Sequence, residues 1–559
     1  MLATQLQLFC VSSLEKIFPD TDFTPSVRLK EDTMLLGERY SFQIAYCLEK
    51  PAPITDISVS LSGSLAEHVI LRRTDVVPSM LPNFPEGDDF VLRNTPGLYP
   101  DPLQPFDRHL RLLPGQWHSL WVTIPADCAL ASGVYDLTVT FTENTSQECK
   151  SCCFAIDRRN LALPPQTLLC TQWFHTDCIA DWYQVPVFSE RYWKLVERYM
   201  ACAVSYGVNM LLTPLFTPPL DTAIGGERTC VQLIDVILVK DGSYRFGFER
   251  LERWISLCDK CGVRYLEFSH LFTQWGAAHA PKIMAAKASC PSEQFPIFGW
   301  DTDSTGDAYR TFLDLFLPAL MEFIRKHRLE KRCYFHISDE PHKEHLPTYL
   351  AAKQMVQKHI GDLPIMDALS DYEYYEQGVV DLPICCNDHI EPFLEHQVPH
   401  LWTYYCSGQN SRVSNRFFCM PSLRNRILGV QLYRFQIQGF LQWGFNFWNS
   451  AFSLRHIDPY CVTDADCAFP SGDAFLVYPG EEGPVGSIRG EVFMDALQDM
   501  RLLQLLETHC GRETVLALLD ASTAEPLTFT TYPREDSWLF DLRHKCHEIL
   551  CGLHPAPKD

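Results

Sequence analysis

The chain has 559 residues, a formal net charge of −22, and a composition that is 46% hydrophobic and 12% aromatic. That length supports two or three domains with large cores. The acidic balance is unsuited to nucleic acid or an anionic membrane surface, the charges are dispersed, and no apolar run is long enough to span a bilayer.

The first residues, MLATQLQLFCVSSLEKIFPD, lack a basic leader, and their apolar run is broken by Gln5 and Gln7. They read as the mature start of a cytoplasmic protein. The 23 cysteines agree, being odd in number, scattered and mostly inside apolar segments such as Cys385 and Cys386 of DLPICCND. In a reducing compartment these are small core residues. Cys258 and Cys261 share a helical face with Leu251 and Ile255, so core packing explains them. Cys149, Cys152 and Cys153 sit at the entrance to a strand. A structural zinc would need these distant groups to meet, and no metal site is expected.

The first third alternates as β structure does: Tyr40, Phe42, Ile44 and Tyr46, then Tyr135, Leu137, Val139 and Phe141. Turn residues lie between, and the pattern predicts an antiparallel β-sandwich over residues 1–160. A proline-rich run, Asn94 to Pro105, reads as a loop that interrupts it and covers another domain. A boundary falls around Asp157 to Pro165.

From Thr167 to Asn449 short apolar strands alternate with amphipathic helices. The strand cores are LLCTQWF, NMLLTPL, RYLEFSH, CYFHISDE, PIMDALS, DLPICCN, HLWTYYC and GFLQWGFNFW. One helix, SERYWKLVERYMACAVSYG, ends at Gly207. Another, SLRNRILGVQLYRFQIQG, ends at Gly439. Eight such alternations predict an α/β fold, a (β/α)8 TIM-like barrel over residues 165–510. A doubly wound sheet is less favoured, because no glycine-rich phosphate loop follows a strand. After Ser450 come a loop, GDAFLVYPG, and a strong helix, SIRGEVFMDALQDMRLLQLLE. A helical extension covers residues 511–559.

The fourth strand ends in adjacent acids, Asp339 and Glu340, followed by Pro341. A solvated turn would explain them. In a barrel, however, strand C-termini carry the active site, and Pro341 stops the strand at the rim. Alternation places Tyr334, His336, Ser338 and Glu340 on one face. Other strand ends converge there: Trp173, His175 and Asp177 after the first, and Glu267, His270 and Trp275 with the third. Asp367 lies on the fifth, and Trp402, Tyr404 and Tyr405 on the seventh. On the eighth, Gln442, Asn446 and Trp448 share a face, while Leu441, Trp443, Phe445 and Phe447 should pack on helices. Trp448 is therefore the expected sugar platform, since aromatic faces stack on pyranose rings. Each residue alone is more often core than ligand. Their convergence is the signal. Metal ligation by His175, Asp177 and His270 is the weaker reading, with no HExxH pair. There is no GxSxG elbow and no basic, aromatic patch for nucleic acid.

Strands seven and eight contain no Asp or Glu, which counts against an ordinary two-carboxylate retaining site. Adjacent acids suit substrate-assisted hydrolysis, in which the sugar's own 2-acetamido oxygen is the nucleophile. Asp339 stays ionised and orients the acetamido N–H. Its charge favours the protonated form of Glu340, the general acid. A tyrosine hydroxyl binds the acetamido oxygen.

The segments FHISDEP, WFHTDCIADWY, HLFTQWGAAHAPK, GFLQWGFNFWN and GDAFLVYPGEEGPVGSIRGE together resemble glycoside hydrolase family 123, the N-acetyl-β-galactosaminidases, and the wider bacterial set carrying domain of unknown function 4091. The resemblance is strongest from Cys170 to Leu506. It implies an N-terminal sandwich, a catalytic barrel and a retaining exo-acting β-N-acetylhexosaminidase without a cofactor. It places the family's acidic pair on Asp339 and Glu340 and its acetamido-binding tyrosine on Tyr404. Glu267 or Asp367 would be the nucleophile for a sugar lacking the acetamido group. A non-catalytic carbohydrate-binding protein on the same fold is the competing class. The expected partner is a carbohydrate, an imported oligosaccharide or glycoconjugate fragment, with no nucleic acid and no membrane.

Overall fold

A computed structural model describes residues 5–341 and 343–553. The first four residues, and residues 554–559 of the expected C-terminal extension, lie outside the described part. Eight short parallel strands form a barrel: β1 (Leu169–Gln172), β2 (Met210–Thr213), β3 (Tyr265–Phe268), β4 (Cys333–Phe335), β5 (Met366–Ala368), β6 (Leu382–Cys386), β7 (Trp402–Tyr404) and β8 (Gly439–Gln442). They are hydrogen-bonded in the order β4-β3-β2-β1-β8-β7-β6-β5. A parallel bridge between Phe335 and Ile365 joins β4 to the chain entering β5, with the Phe335 amide donating to the Pro364 carbonyl at 2.9 Å. Every strand falls inside one of the apolar segments read from the sequence.

Parallel barrel strands are buried on both faces and so appear as unbroken apolar runs. Along β2 all four residues are buried. Met210 and Leu212 turn into the barrel with Met366, Ile384, Trp402 and Leu441, while Leu211, Cys385 and Phe440 pack outward against helices. Gly439 opens β8 because Trp402 fills the space beside it: a Cβ there would lie 1.9 Å from the indole. It therefore does not cap a helix. The predicted long helix before it is two short ones, Ser422–Arg426 and Leu428–Arg434, and the chain turns at Gln436 in the left-handed region.

Ahead of the barrel lie a five-stranded sheet and five strands of a seven-stranded sheet, whose other two strands follow the barrel; the two sheets share a core that includes Phe42, Ile44, Val59, Phe141 and Phe154. The proline-rich run holds a strand, Gly97–Pro105, where a loop was expected. Its prolines are extended, and a register irregularity between Thr74 and Val76 accommodates them against Ile70–Ser79. The strand Cys149–Ala162 runs through most of the expected boundary segment. Not anticipated is a four-stranded sheet built from short strands on either side of β3, in residues 235–298. After β8 the chain forms Pro484–Ser487, which pairs with Gly97–Pro105. It then enters the helix Ile488–Cys510, capped by the Ser487 side chain on the Gly490 amide. No helix of the described residues is long and apolar enough to cross a membrane.

One buried ion pair ties this helix to the proline-rich strand. Arg489 holds Asp101 through two bonds of 2.9 and 2.8 Å, Tyr478 donates to the same carboxylate at 2.6 Å, and the guanidinium also reaches the Gly472 and Phe475 carbonyls. Both charged side chains are at most 2% exposed. Removing one partner of a buried pair strands the other charge. Arg489→Met is expected to cost about 3–5 kcal/mol, read as a lower urea midpoint at unchanged slope.

Candidate active site

The chain leaves β4 at Phe335 and is then held from the side by the loop that follows β3. The Phe272 amide donates to the Ile337 carbonyl at 3.2 Å, the Ser338 hydroxyl to the Thr273 carbonyl at 2.8 Å, and the Trp275 amide to the Asp339 carbonyl at 3.1 Å. Glu340 sits in the left-handed region at φ 45°, and Trp275 at φ 56°. Such conformations cost about 1–3 kcal/mol for side-chain-bearing residues and persist only where surrounding bonds enforce them. The result aims the Glu340 carboxylate at β7, where the Tyr404 hydroxyl donates to it at 2.8 Å. Asp339, Glu340 and Tyr404 line a cavity of 180 Å³, walled by Trp173, Asp221, Trp275 and Trp443. Glu340 and Ala368 also border an outer cavity of 790 Å³ above the ends of β5 and β6.

Asp339 is held well above the usual carboxylate range. Burial is the largest cause and the Glu340 charge the next, with His336 pulling the other way. Both causes favour the protonated form of Asp339, against the expectation that Asp339 is the ionised member of the pair.

Beneath the pair lies a buried charged network. His336 bonds through Nε2 to Glu267 Oε1 at 2.7 Å and through Nδ1 to Asp367 Oδ1 at 2.9 Å. Glu267 also accepts from the Trp173 indole at 2.7 Å and from the Thr171 hydroxyl, and Asp367 from the Tyr349 hydroxyl at 2.5 Å. Burial pushes the His336 pKa down, but Asp367 and Glu267 override it and raise it to about 10. Burial raises Asp367 in turn, against the pull of His336. The His270 ring stacks on His336 at 4.2 Å, and burial followed by the His336 charge keeps it neutral. Glu267, Asp367 and His270 thus support the floor and do not line the cavity.

Other expected ligands also prove to be supports. Asp177 forms a buried two-bond pair with Arg228 at 2.7 and 2.8 Å, and the same guanidinium reaches His175 Nδ1 at 3.1 Å and the Leu220 carbonyl at 3.1 Å. Burial opposes ionisation of Asp177, but Arg228 holds its pKa below the usual value. The trio anchors the loop that brings Asp221 to the cavity. Asn446 bonds both the amide and the carbonyl of His175. Trp402 fills the barrel interior. Trp448 is buried between Trp182 and Tyr199, its indole donating to the Val477 carbonyl at 3.2 Å. It is no sugar platform in this arrangement. Trp443, assigned to the opposite face, lines the cavity in its place and is fixed by a 2.9 Å bond to Asp473. Alternation along β8 has Leu441 and Trp443 facing in, and it ends near Trp443, so parity carried on to Trp448 fails. Tyr405 packs outward on Phe440, leaving Tyr404 as the inward tyrosine. Asp221 was not anticipated; burial raises its pKa to about 6.

A parallel eight-stranded barrel thus carries paired acids at the C-terminal end of β4, the end where barrel enzymes place their active sites, facing a small aromatic-walled cavity. The sequence matches the family model "Glycoside hydrolase 123, catalytic domain" over residues 173–506. The chain belongs to glycoside hydrolase family 123. Among solved structures it is similar to a family 123 glycoside hydrolase from Clostridium perfringens, described for glycolipid glycan hydrolysis. The TM-score is 0.72 over 98% of both chains, at 13% identity. β-Glucuronidases of Parabacteroides merdae and Bacteroides uniformis match with TM-scores of 0.31 and 0.30 at 11% identity. They cover 88% and 85% of this chain and 52% and 48% of theirs, and carry no argument. No curated protein matches the sequence.

Two outcomes follow from this geometry. His336 has a folded pKa of about 10 against 6.5 for the free group, so its stabilisation is complete below pH 6.5 and is lost as pH rises through about 10. His336→Gln is expected to cost about 3–5 kcal/mol in urea unfolding near neutral pH, with the gap from wild type narrowing toward the alkaline end. The two tryptophans should separate in kinetics. Trp443→Ala is expected to raise the KM of the folded fraction about tenfold, from a lost stacking contact of about 0.5–1.5 kcal/mol, beside a loss of stability from the Asp473 bond and the Phe447 and Phe469 contacts. Trp448→Ala is expected to cost about 3–5 kcal/mol of stability and leave the KM of the folded fraction near wild type.

Proposed function

We propose that the protein is a retaining, exo-acting β-N-acetylhexosaminidase working by substrate assistance, with N-acetylgalactosamine as the terminal sugar. The observation that carries the reading is the acidic pair, Asp339 and Glu340, at the junction of two cavities. The inner cavity, 180 Å³, matches one sugar ring; the outer, 790 Å³, has room for the group it is attached to. Glu340 borders both, where an acid must stand to protonate the bridging oxygen.

The bound acetamido group redistributes one proton. Its N–H donates to Asp339, favouring the carboxylate there. Its carbonyl oxygen takes the Tyr404 hydroxyl, and Glu340, released from that bond, carries the proton. The carbonyl oxygen then attacks C1 while Glu340 protonates the leaving oxygen, which gives a bicyclic oxazolinium intermediate. Glu340 next deprotonates a water that opens the intermediate at C1, so the anomeric configuration is retained. Trp443 and Trp173 wall the ring. Glu267 and Asp367, the candidate nucleophiles for a sugar without the acetamido group, are already bonded to His336. That supports a nucleophile supplied by the substrate. The galacto preference rests on the family resemblance.

A second reading has one observation behind it. Asp221 also lines the inner cavity and could serve as a second carboxylate for a 2-hydroxy sugar.

The test is hydrolysis of β-linked N-acetylgalactosaminides, beside the gluco epimer and the 2-hydroxy analogue, with 4-nitrophenyl and sugar leaving groups. Turnover should require the acetamido group and favour the galacto epimer. Asp339→Asn should lower kcat about 10²–10⁴-fold on both leaving groups. Glu340→Gln should lose a similar factor on the sugar leaving group and less on 4-nitrophenol, which needs little acid assistance. Asp221→Asn should retain kcat within about tenfold. Equal turnover of the 2-hydroxy analogue, abolished by Asp221→Asn, would favour the second reading.

A further inference from the structure

The end of β6 carries chemistry that the proposed hydrolysis does not use. The chain turns immediately after Cys386, and the His389 amide donates to the Cys386 carbonyl at 3.0 Å. The turn folds a thiol, a carboxylate and an imidazole together. Cys386 Sγ lies 3.4 Å from His389 Nδ1, which lies 2.9 Å from Asp388 Oδ1, and the three donor atoms fall within 4.8 Å of one another. We propose that the Cys386–His389 turn is a binding site for zinc or another borderline-soft divalent cation.

Two of the three donor separations are close to what such an ion needs, and the third, sulfur to oxygen, is within 4.8 Å. Zinc bonds of about 2.3 Å to sulfur and about 2.0–2.1 Å to nitrogen or oxygen, at tetrahedral angles, place donors about 3.3–3.6 Å apart. The sulfur–nitrogen distance already meets this, and the nitrogen–oxygen distance needs to open by a few tenths of an ångström. A mixed sulfur, nitrogen and oxygen set selects against magnesium and calcium, which prefer oxygen alone. The surroundings suit the role. Gln409 Nε2 donates to Asp388 Oδ1 at 3.1 Å, orienting the carboxylate, and the Ser370 hydroxyl lies 2.8 Å from Cys386 Sγ, placed to donate to a thiolate. Cys386 is buried and forms the floor, while the His389 side chain is 63% exposed. Asp388 and His389 border the outer cavity, so the ion enters from there and its fourth position faces solvent. Binding replaces the thiol proton, which leaves to water.

The other cluster with metal-ligand chemistry, His270, His336 and Asp367, does not qualify. The two imidazoles are nearly parallel, 20° apart and stacked at 4.2 Å, so their in-plane lone pairs do not converge on one point. Both His336 nitrogens are also engaged by carboxylates.

The test is equilibrium dialysis of the chelator-stripped full chain against Zn²⁺, with bound metal counted by mass spectrometry, and a parallel Co²⁺ titration followed by absorption. One equivalent should bind at micromolar concentration or tighter, and Co²⁺ should give a thiolate charge-transfer band. His389→Ala and Asp388→Ala, both at solvent-accessible positions, should weaken binding at least tenfold. Cys386→Ser should remove the band. The chain holds 22 other cysteines, so the variants decide the outcome. Absence of stoichiometric binding, or binding unchanged in His389→Ala and Asp388→Ala, overturns the proposal. Neither measurement depends on hydrolysis.

Discussion

The ion triad Glu267–His336–Asp367 is the constraint on which the rest of the site depends. It links β3, β4 and β5 across the barrel interior, and through Trp173 and Thr171 it reaches β1. An isolated charge at that depth would be untenable. The imidazolium satisfies two carboxylates, and the remaining carboxylate oxygens take hydroxyl or amide donors. Burial, then the Glu340 charge, raise the pKa of Asp339; within the triad His336 pulls it down and Asp367 and Glu267 push it up. The floor thus contributes to the electrostatics of Asp339 above it, and it keeps Glu267 and Asp367 engaged with His336.

The order of the eight barrel strands was legible because each is an apolar run closed by polar rim residues. Facing was legible only where the two faces differ in chemistry. Tyr334, His336 and Ser338 alternate with Phe335 and Ile337, so β4 announces which side is polar. In β7, Tyr404 shares parity with Trp402, and both point in. On and beyond β8 the polar residues Gln442 and Asn446 share one parity but bond Arg416, Asp473 and His175 instead of lining the cavity, and regular pairing ends at Gln442, so counting by twos onward to Trp448 lost its physical basis. Tertiary partners were beyond reach for a different reason. Arg228 lies 51 residues from Asp177, and nothing local marks the pair. His175 and Asp177 read as ligands because their real partner was invisible. The strand Gly97–Pro105 was hidden by its prolines, which are usually a reason to reject a strand.

The position of Asp221 shows how the supports matter. Arg228 is neutralised by Asp177 and bonds the Leu220 carbonyl, fixing the backbone one residue from Asp221. The Gln274 side chain accepts from the Asp221 amide at 2.5 Å, and the Asp221 carboxylate accepts from the Phe452 amide at 3.0 Å. Loops after β1, β2, β3 and β8 are thereby tied into one wall. Residues that never touch the cavity decide its shape.

The same logic accounts for the strain at the acidic pair. Two residues at the rim, Trp275 and Glu340, hold left-handed backbone conformations, and the Trp275 amide bonds the Asp339 carbonyl between them. A relaxed extended chain would send successive side chains to opposite sides. Adjacent carboxylates can serve one substrate only if the backbone twists between them. Pro341 cannot donate to a strand ladder and disfavours a right-handed helical Glu340. If the nucleophile belongs to the substrate, the protein forms no bond to the sugar carbon, and beyond proton transfer what it must supply is position. A buried triad below, a neighbouring loop bonded alongside and a twisted Asp339–Glu340 step are means of supplying position.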